Sequence, residues 1–331
     1  MSYRKIGILH LNQIGDLAFA LPLVANLRAN CPEVEIHSIM KPYLSGLWQG
    51  QVERIIARTG EDRLDLIKLV RREHYDLLIS LARSEECLII TALSGAGHTA
   101  GFHKPPLSWT LDTCLKIEGH NCWHNNRRLL EALGMTITKN DYVGLLKASG
   151  DIGQLDLPER FAVISPGASI NRQAKTWDNA KFADLIIQLY SGHGLMPVLV
   201  GSSENAEPNR QIIAAAQAQL AELPALDLAG HLSLAPLCSL LRRASLFVGI
   251  DSGVMHLASS LDIPTVGIFG PTDDHYVGPQ NAKSRVVKAG LGCQPCYLKP
   301  CEHLNCMRQL ETNAVMQACR ELLNGNNSHH S

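Results

Sequence analysis

Two successive series of short apolar segments, each alternating with helical patterns, constrain the fold of this chain more than any other feature. In the first series an apolar run at 5–11 leads into a Gly-Asp turn and then into a helical pattern at 17–27. A strand followed by a helix and another strand is typical of a parallel sheet. The other segments of this series are strand-like runs at 34–40, 54–57 and 76–81, and helical patterns at 63–72 and 125–133.

The second series starts after a loose segment at 149–158, with a strand-like run at 161–165. It continues with strands at 196–200, 245–249 and 265–269 and helices at 179–190, 254–261 and 311–323. A chain of 331 residues is long enough for two such cores. The sequence therefore predicts an α/β protein with one domain at 1–155, a second at 156–310, a terminal helix at 311–324 and a disordered tail at 325–331.

Composition and charge exclude some partners. Lys and Arg number 30 against 31 Asp and Glu, and aromatic residues make up 5% of the chain. Neither an electrostatic attraction to nucleic acid nor a stacking surface for bases is expected. The first residues resemble no cleavable leader, and no run of about twenty apolar residues occurs, so we expect a cytoplasmic protein.

The stretch 246–271 contains the most informative motif, a buried strand that ends at Asp251 and is followed by a turn at Ser252 and Gly253. The next helix would direct its free N–H groups at this turn, which favours an anion such as a diphosphate. His256 lies one helical turn later and would face the same ligand. The alternative is a simple helix cap with a surface histidine.

A second strand exit, at 165–177, combines a glycine turn with Lys175. Because ligands collect at the carboxyl ends of parallel strands, Lys175 is a candidate phosphate or sugar contact. Glu204 follows the next strand and is a candidate for the ribose hydroxyls of a nucleotide. A solvated lysine and a glutamate that only complements a helix dipole are the alternatives.

At the first strand exit, 10–22, Asp16 is the first acidic residue and is suited to removing a proton from an acceptor hydroxyl. An N-terminal helix cap is the alternative for Asp16.

Four cysteines fall within fourteen residues near the end of the chain. They would surround a structural zinc or iron, or they are packed free thiols; only the first pair has the two-residue spacing typical of zinc sites. These residues are Cys293, Cys296, Cys301 and Cys306.

Taken together, these stretches resemble glycosyltransferase family 9, the ADP-heptose:lipopolysaccharide heptosyltransferases. The matching pieces lie at 14–22 (IGDLAFALP), 125–134 (NNRRLLEALG), 166–177 (PGASINRQAKTW), 228–261, 266–273 (VGIFGPTD) and 306–310. The resemblance implies the GT-B architecture, with two Rossmann-like domains facing across a cleft, an acceptor bound by the first and a nucleotide sugar by the second. It also implies that the terminal helix packs back on the first domain.

The resemblance further implies an inverting, metal-independent transfer of heptose from ADP-heptose to the lipopolysaccharide inner core, with transient contact at the inner membrane surface. Asp16 matches the family's base, and Lys175 and Asp251 match residues near the sugar and phosphates. Ser169 matches a hydroxyl residue after the glycine turn. The matches to the phosphate loop are Ser252, Gly253 and His256.

Three alternatives stay open. The first is a family 9 transferase for another sugar or for a protein acceptor, as in the autotransporter heptosyltransferases, some of which carry an iron-holding cysteine cluster. The second is a nucleotide-sugar-binding relative without catalysis, which the combination of Asp16, Lys175 and Asp251 disfavours. The third is a dinucleotide-dependent oxidoreductase. It lacks support, because no G-x-G-x-x-G motif follows the first strand.

Overall fold

The computed structural model describes residues 3–11, 13–58, 63–167, 174–297 and 301–325. The chain divides into two compact units, residues 1–148 and 149–331. Each unit has its own six-stranded parallel sheet within the described residues.

The first unit contains the sheet strands β1 to β6 and the helices α1 to α6. Its strands are β1 Lys5–His10, β2 Glu35–Met40, β3 Arg54–Ala57, β4 Leu77–Ser80, β5 His98–Phe102 and β6 Thr113–Leu115. Its helices are α1 Ile14–Ala18, α2 Leu21–Asn30, α3 Ser45–Trp48, α4 Arg63–Arg72, α5 Glu85–Leu93 and α6 Cys122–Ala132, with short 3₁₀ helices at Pro42–Leu44 and Leu107–Thr110.

The second unit repeats this plan with β7 to β12 and α7 to α13. Its strands are β7 Phe161–Ser165, β8 Met196–Leu199, β9 Leu226–Asp227, β10 Leu246–Ile250, β11 Thr265–Phe269 and β12 Ser284–Lys288. Its helices are α7 Asn179–His193, α8 Ala206–Gln219, α9 Leu234–Arg243, α10 Gly253–Ser260, α11 Asp274–Val277, α12 Asn305–Arg308 and α13 Thr312–Gly325, with a 3₁₀ helix at Ser203–Asn205.

Both sheets have the same strand order, which is that of a Rossmann fold. The first runs β3-β2-β1-β4-β5-β6 and the second β12-β11-β10-β7-β8-β9, so both match the 3-2-1-4-5-6 pattern. The order reverses between β1 and β4 in one unit and between β7 and β10 in the other. Ligands of such sheets bind outside the carboxyl ends of the strands at this point of reversal.

The apolar runs of the sequence form the buried centres of the two sheets. β4, β7, β10 and β11 are buried along their whole length, as expected of parallel strands with helices on both faces. The expectation of an α/β fold with parallel strands is confirmed.

The helix expected at 17–27 is in fact two helices, α1 and α2. Pro22 has no N–H group, and its ring would clash with the carbonyl of Ala18 in a continuous helix. The chain therefore leaves α1 at Ala18 and begins α2 at Leu21, with Pro22 in the first turn, where its missing donor costs nothing.

The terminal helix α13 packs within the second unit. Its apolar side chains Val315, Met316 and Cys319 are part of the core that also contains Phe182 and Ile268. A strongly amphipathic helix buries its apolar stripe against the nearest open sheet face, and here that face belongs to its own unit. Of the expected tail at 325–331, residues 326–331 lie outside the described residues.

Candidate functional site

In the first unit, a cavity of about 200 Å³ opens at the carboxyl ends of β1 and β4. It lies at the reversal of strand order, where a ligand site is expected. The polar residues that line it are His10, Asp16, Arg83, His120, Cys122, Asn125 and Asn126. The structure therefore brings the predicted base into a cavity that also contains the guanidinium of Arg83.

Asp16 lies in the first turn of α1 and uses both carboxylate oxygens. Oδ2 accepts the backbone N–H of Gln13 at 3.1 Å in a capping box, so the N-cap of α1 is Gln13, and Asp16 is the third helical residue instead of the N-cap that the alternative interpretation expected. Oδ1 accepts the thiol of Cys122 at 3.5 Å. Asp16 therefore takes part in the capping of α1 and also faces the cavity. It can do both because each oxygen of its carboxylate can accept two hydrogen bonds.

His10 forms the inner wall of this cavity and is almost completely buried. Its ring meets Trp48 edge to face at 5.1 Å between centroids, and Nε2 lies 3.4 Å from Oγ of Ser38. Burial lowers the pKa of His10 to about 3. At neutral pH the imidazole is therefore uncharged.

In the second unit, the predicted residues Lys175 and Asp251 form a buried ion pair at the reversal between β7 and β10. The side chains are 14% and 6% exposed, respectively. Thr272, which follows β11, donates its hydroxyl to Asp251 Oδ2 at 2.6 Å. Residues from three strand exits thus meet around one carboxylate.

The start of α10 is the place at which the motif predicts an anion site. Ser252 is the residue before the helix, and its buried hydroxyl is without a hydrogen-bond partner among the described residues. Gly253 is the first helical residue, so its N–H is one of the helix's free donors. A buried hydroxyl without a partner, beside free N–H groups, is suited to donate a hydrogen bond to an anionic oxygen.

His256 lies one turn into α10 and is buried. Burial lowers the pKa of His256 to about 4, while Asp251 acts to raise it and Lys175 to lower it. The imidazole is therefore neutral at pH 7, and it can donate one hydrogen bond without adding charge.

Glu204 lines a second cavity, of about 700 Å³, at the ends of β7 and β8. Other residues of this cavity are Gly167, Trp177, Asn205, Met307 and Arg308. Lys175 and Asp251 are not among its lining residues. The predicted ribose and phosphate residues thus lie at the same edge of one sheet but not in one cavity.

One predicted donor contact, Ser169, lies outside the described residues. The sequence interpretation missed Thr272 and Cys122. Thr272 could have been found as a polar residue directly after a strand, in the segment FGPTD. Cys122 was missed because the helix was expected to begin at Asn125, although Asn121 is a good cap and accepts the N–H of His124 at 2.8 Å.

Leu304, which lies between Cys301 and Cys306, lines the cavity that contains Glu204. Burial raises the pKa of the Cys306 thiol, and the thiols of Cys296, Cys293 and Cys301 act in the same direction. In the described part of the chain, no group of three His, Cys, Asp or Glu residues is arranged to hold a metal ion. Of the two interpretations of these cysteines, the geometry does not support a structural zinc or iron.

None of the helices in the described residues combines the length and the apolar character needed to cross a bilayer.

Comparisons with known proteins agree with this fold. The chain is 33% identical over 326 residues to lipopolysaccharide heptosyltransferase 2 of Salmonella typhimurium, with 87% of this chain and 89% of the relative covered. It is 32% identical to lipooligosaccharide heptosyltransferase 2 of Campylobacter jejuni over 169 residues, which is 50% of this chain and only about half (51%) of that relative.

A solved structure, that of Escherichia coli ADP-heptose lps heptosyltransferase II, superposes with a TM-score of 0.81 at 22% identity and covers 98% of this chain and 99% of its own. The fold is therefore that of the GT-B heptosyltransferases.

The family model of glycosyltransferase family 9 (heptosyltransferase) matches residues 63–307. This range includes β4, the Lys175–Asp251 pair and the start of α10. This match covers well over half of the chain. The protein belongs to glycosyltransferase family 9.

Proposed function

We propose that this protein transfers a heptose from ADP-heptose to a hydroxyl of the lipopolysaccharide inner core, with inversion at the anomeric carbon. Membership of family 9 and the names of its relatives support this activity. The observation that carries the proposal is Asp16, a carboxylate placed in a cavity at the strand reversal of the first unit. A carboxylate at this point is positioned as a general base.

In the proposed reaction the acceptor hydroxyl gives its proton to Asp16 as its oxygen attacks the anomeric carbon. The bond from that carbon to the diphosphate oxygen breaks, and ADP leaves with the bonding electron pair. Because attack and departure occur on opposite faces, the anomeric configuration inverts. The acceptor enters beside Arg83 and His120, two residues that suit an anionic acceptor.

The negative charge on the leaving diphosphate needs stabilisation in the second unit. The Lys175 ammonium moves partly away from Asp251 and contacts the phosphate oxygens. The backbone N–H groups of Ser252 and Gly253 and the hydroxyl of Ser252 donate hydrogen bonds to the same oxygens. Thr272 keeps Asp251 in place when Lys175 turns to the phosphate. Glu204 accepts hydrogen bonds from the ribose hydroxyls in the neighbouring cavity.

Transfer in this scheme needs no metal, because Lys175 and the start of α10 supply the positive charge. The segment of the four cysteines instead forms part of the wall of the second cavity, which Leu304 lines together with the following Met307 and Arg308. Metal analysis of the purified protein tests whether the four thiols hold a structural zinc or iron.

We place the protein in the cytoplasm, in transient contact with the inner membrane surface where a lipid-linked acceptor is presented. Two exposed apolar side chains of the first unit support this contact: Trp109, 82% exposed, and Leu93, 48% exposed. Tryptophan is enriched where proteins meet the headgroup region of a bilayer.

The direct experiment is a panel of nucleotide sugars offered with truncated lipopolysaccharide cores, with the products identified by mass spectrometry. We expect a mass increase of one heptose with ADP-heptose and none with nucleotides that carry other sugars. Transfer of a different sugar, or transfer only to a protein acceptor, would assign another family 9 activity. Tight nucleotide-sugar binding without any product would identify a binding protein.

A further inference from the structure

We propose that Cys122 is a positioning residue for Asp16, which it holds through a thiol-to-carboxylate hydrogen bond. This inference rests on the proposed function, in which Asp16 is the base. Oδ1 of Asp16 lies 3.5 Å from Sγ of Cys122, within the range of a sulfur hydrogen bond. Both residues line the same cavity.

The backbone around Cys122 is fixed from several directions. Cys122 is the first residue of α6, after the cap Asn121. The amide of Asn125 donates to the carbonyl of Glu118 at 2.9 Å and also accepts the N–H of that residue at 2.9 Å. Asn126 donates to the carbonyl of Phe19, directly after α1, at 3.2 Å. The bond of Asn126 joins the start of α6 to the end of α1, the helix that carries Asp16.

The carboxylate is therefore held at both oxygens. The backbone N–H of Gln13 fixes Oδ2, and the thiol of Cys122 fixes Oδ1. With one donor alone, the carboxylate could rotate about its Cβ–Cγ bond and turn its basic lone pair away from the cavity. Two donors define its plane, and a fixed plane is what a short proton transfer from the acceptor requires.

The thiol is in the protonated form needed to donate this bond. Burial, together with the smaller effect of the neighbouring Asp16 charge, raises the pKa of Cys122 to about 12. At neutral pH the proton stays on sulfur, before and after transfer. The acceptor's proton is the one that Asp16 receives.

A thiol suits this position better than a hydroxyl because S–H is a weak donor. A strong hydrogen bond to the charged carboxylate would favour that form and make it a weaker base. The thiol holds the carboxylate in place and leaves most of its basicity for the acceptor.

The test compares C122A, C122S and the control C114A in steady-state transfer as a function of pH. Cys114 lies in β6 of the same unit and is not among the residues of the cavity. We expect C122A to lower kcat about 10-fold with little change in the acceptor KM. C122S should keep kcat within about 3-fold above the acid limb, and C114A should match wild type.

The pH profile separates positioning from a structural role. The acid limb of kcat should lie at lower pH in C122S and at higher pH in C122A than in wild type, because a stronger donor favours the ionised base. Other titratable or charged groups around Asp16 stay unchanged in all variants. These are His10, Tyr43, Arg83 and His120.

An unchanged kcat and acid limb in C122A would overturn the inference, as would equal losses in C122A and C122S without a shift of the limb. If C122A does not fold, the acid limb of C122S against wild type decides. The D16N variant separates this inference from the proposed function. If D16N is active, Asp16 is not the base and the proposed function fails. If D16N is inactive and C122A behaves as wild type, only the positioning role of the Cys122 thiol fails.

Discussion

At the scale of single residues, Asp251 illustrates how the second unit keeps a buried charge in place. It has one charged partner, Lys175, and one hydroxyl partner, Thr272. Removing the only partner of a buried charge is strongly destabilising. With Thr272 as a second partner, Lys175 is able to move toward a diphosphate without leaving Asp251 alone.

His10 leads to a prediction about stability and pH. Its pKa is about 3 in the folded protein against an ordinary 6.5, so the unfolded chain takes up a proton that the folded protein does not. The free energy of unfolding should therefore decrease as the pH falls from 6.5 toward 3. At pH 5 this loss is about 2 kcal/mol.

The variant H10Q removes this titration and keeps a polar atom near Ser38. We expect its free energy of unfolding, measured with urea, to fall about 2 kcal/mol less between pH 7 and pH 5 than that of wild type. His256 acts in the same direction and is present in both proteins. Equal losses in the two proteins would mean that His10 takes up its proton in the folded state as well.

Candidate residues could be proposed from sequence where they lie in a segment that leaves a strand, as Asp16, Lys175 and Asp251 do. The structure places Asp16 in a cavity and pairs Lys175 with Asp251. Cys122 contacts Asp16 across 106 positions of the chain. A single sequence does not reveal which of its distant segments come into contact.

At the scale of elements, Gly167 after β7 packs closely against the 3₁₀ helix Ser203–Asn205. A Cβ on Gly167 would lie 2.0 Å from Nδ2 of Asn205. Oδ1 of Asn205 accepts the N–H of Ser202 at 3.0 Å and so caps the 3₁₀ helix that carries Glu204. Gly167 and this cap are therefore in direct contact at the cavity that Glu204 lines.

We predict that G167A weakens donor binding, because the added methyl group displaces Asn205 and with it the 3₁₀ helix. The dissociation constant for ADP, measured by calorimetry, should rise at least about 10-fold, and the free energy of unfolding should fall by about 1–3 kcal/mol.

The matched control is G192A in α7, where a Cβ would meet no atom within 4 Å. This variant should instead gain about 0.5–1 kcal/mol of stability and bind ADP normally. Wild-type ADP affinity in G167A would show that the turn tolerates a side chain.

Element type was predictable where the apolar pattern was strong, and element boundaries were not. β3, β7 and β11 have the expected bounds. The first helix was expected to be continuous because its apolar pattern continues through Pro22, yet proline chemistry divides it. Strands such as β6 and β9, of three and two residues, are too short to show a periodic pattern.

At the scale of the whole molecule, one strand order occurs twice, and each copy places polar residues at its reversal. The first copy holds a carboxylate in a cavity that also contains Arg83, and the second holds a lysine and a helix start suited to phosphate. The alternation of strands and helices predicted both sheets. The strand order, which depends on pairing between distant segments, came only from the structure.

The role of Asp16 as the base of a heptosyl transfer is tested most directly with D16N. The asparagine amide oxygen still accepts the N–H of Gln13, so α1 keeps its cap. The matched control is D65N, which changes an exposed carboxylate of α4 that pairs with Lys68.

The measurement is the turnover of ADP-heptose with a truncated lipopolysaccharide core, together with calorimetric binding of ADP. We predict that D16N loses turnover by about 1,000-fold or more and binds ADP as wild type does, while D65N retains both. Turnover by D16N within about 10-fold of wild type would show that Asp16 is not the base.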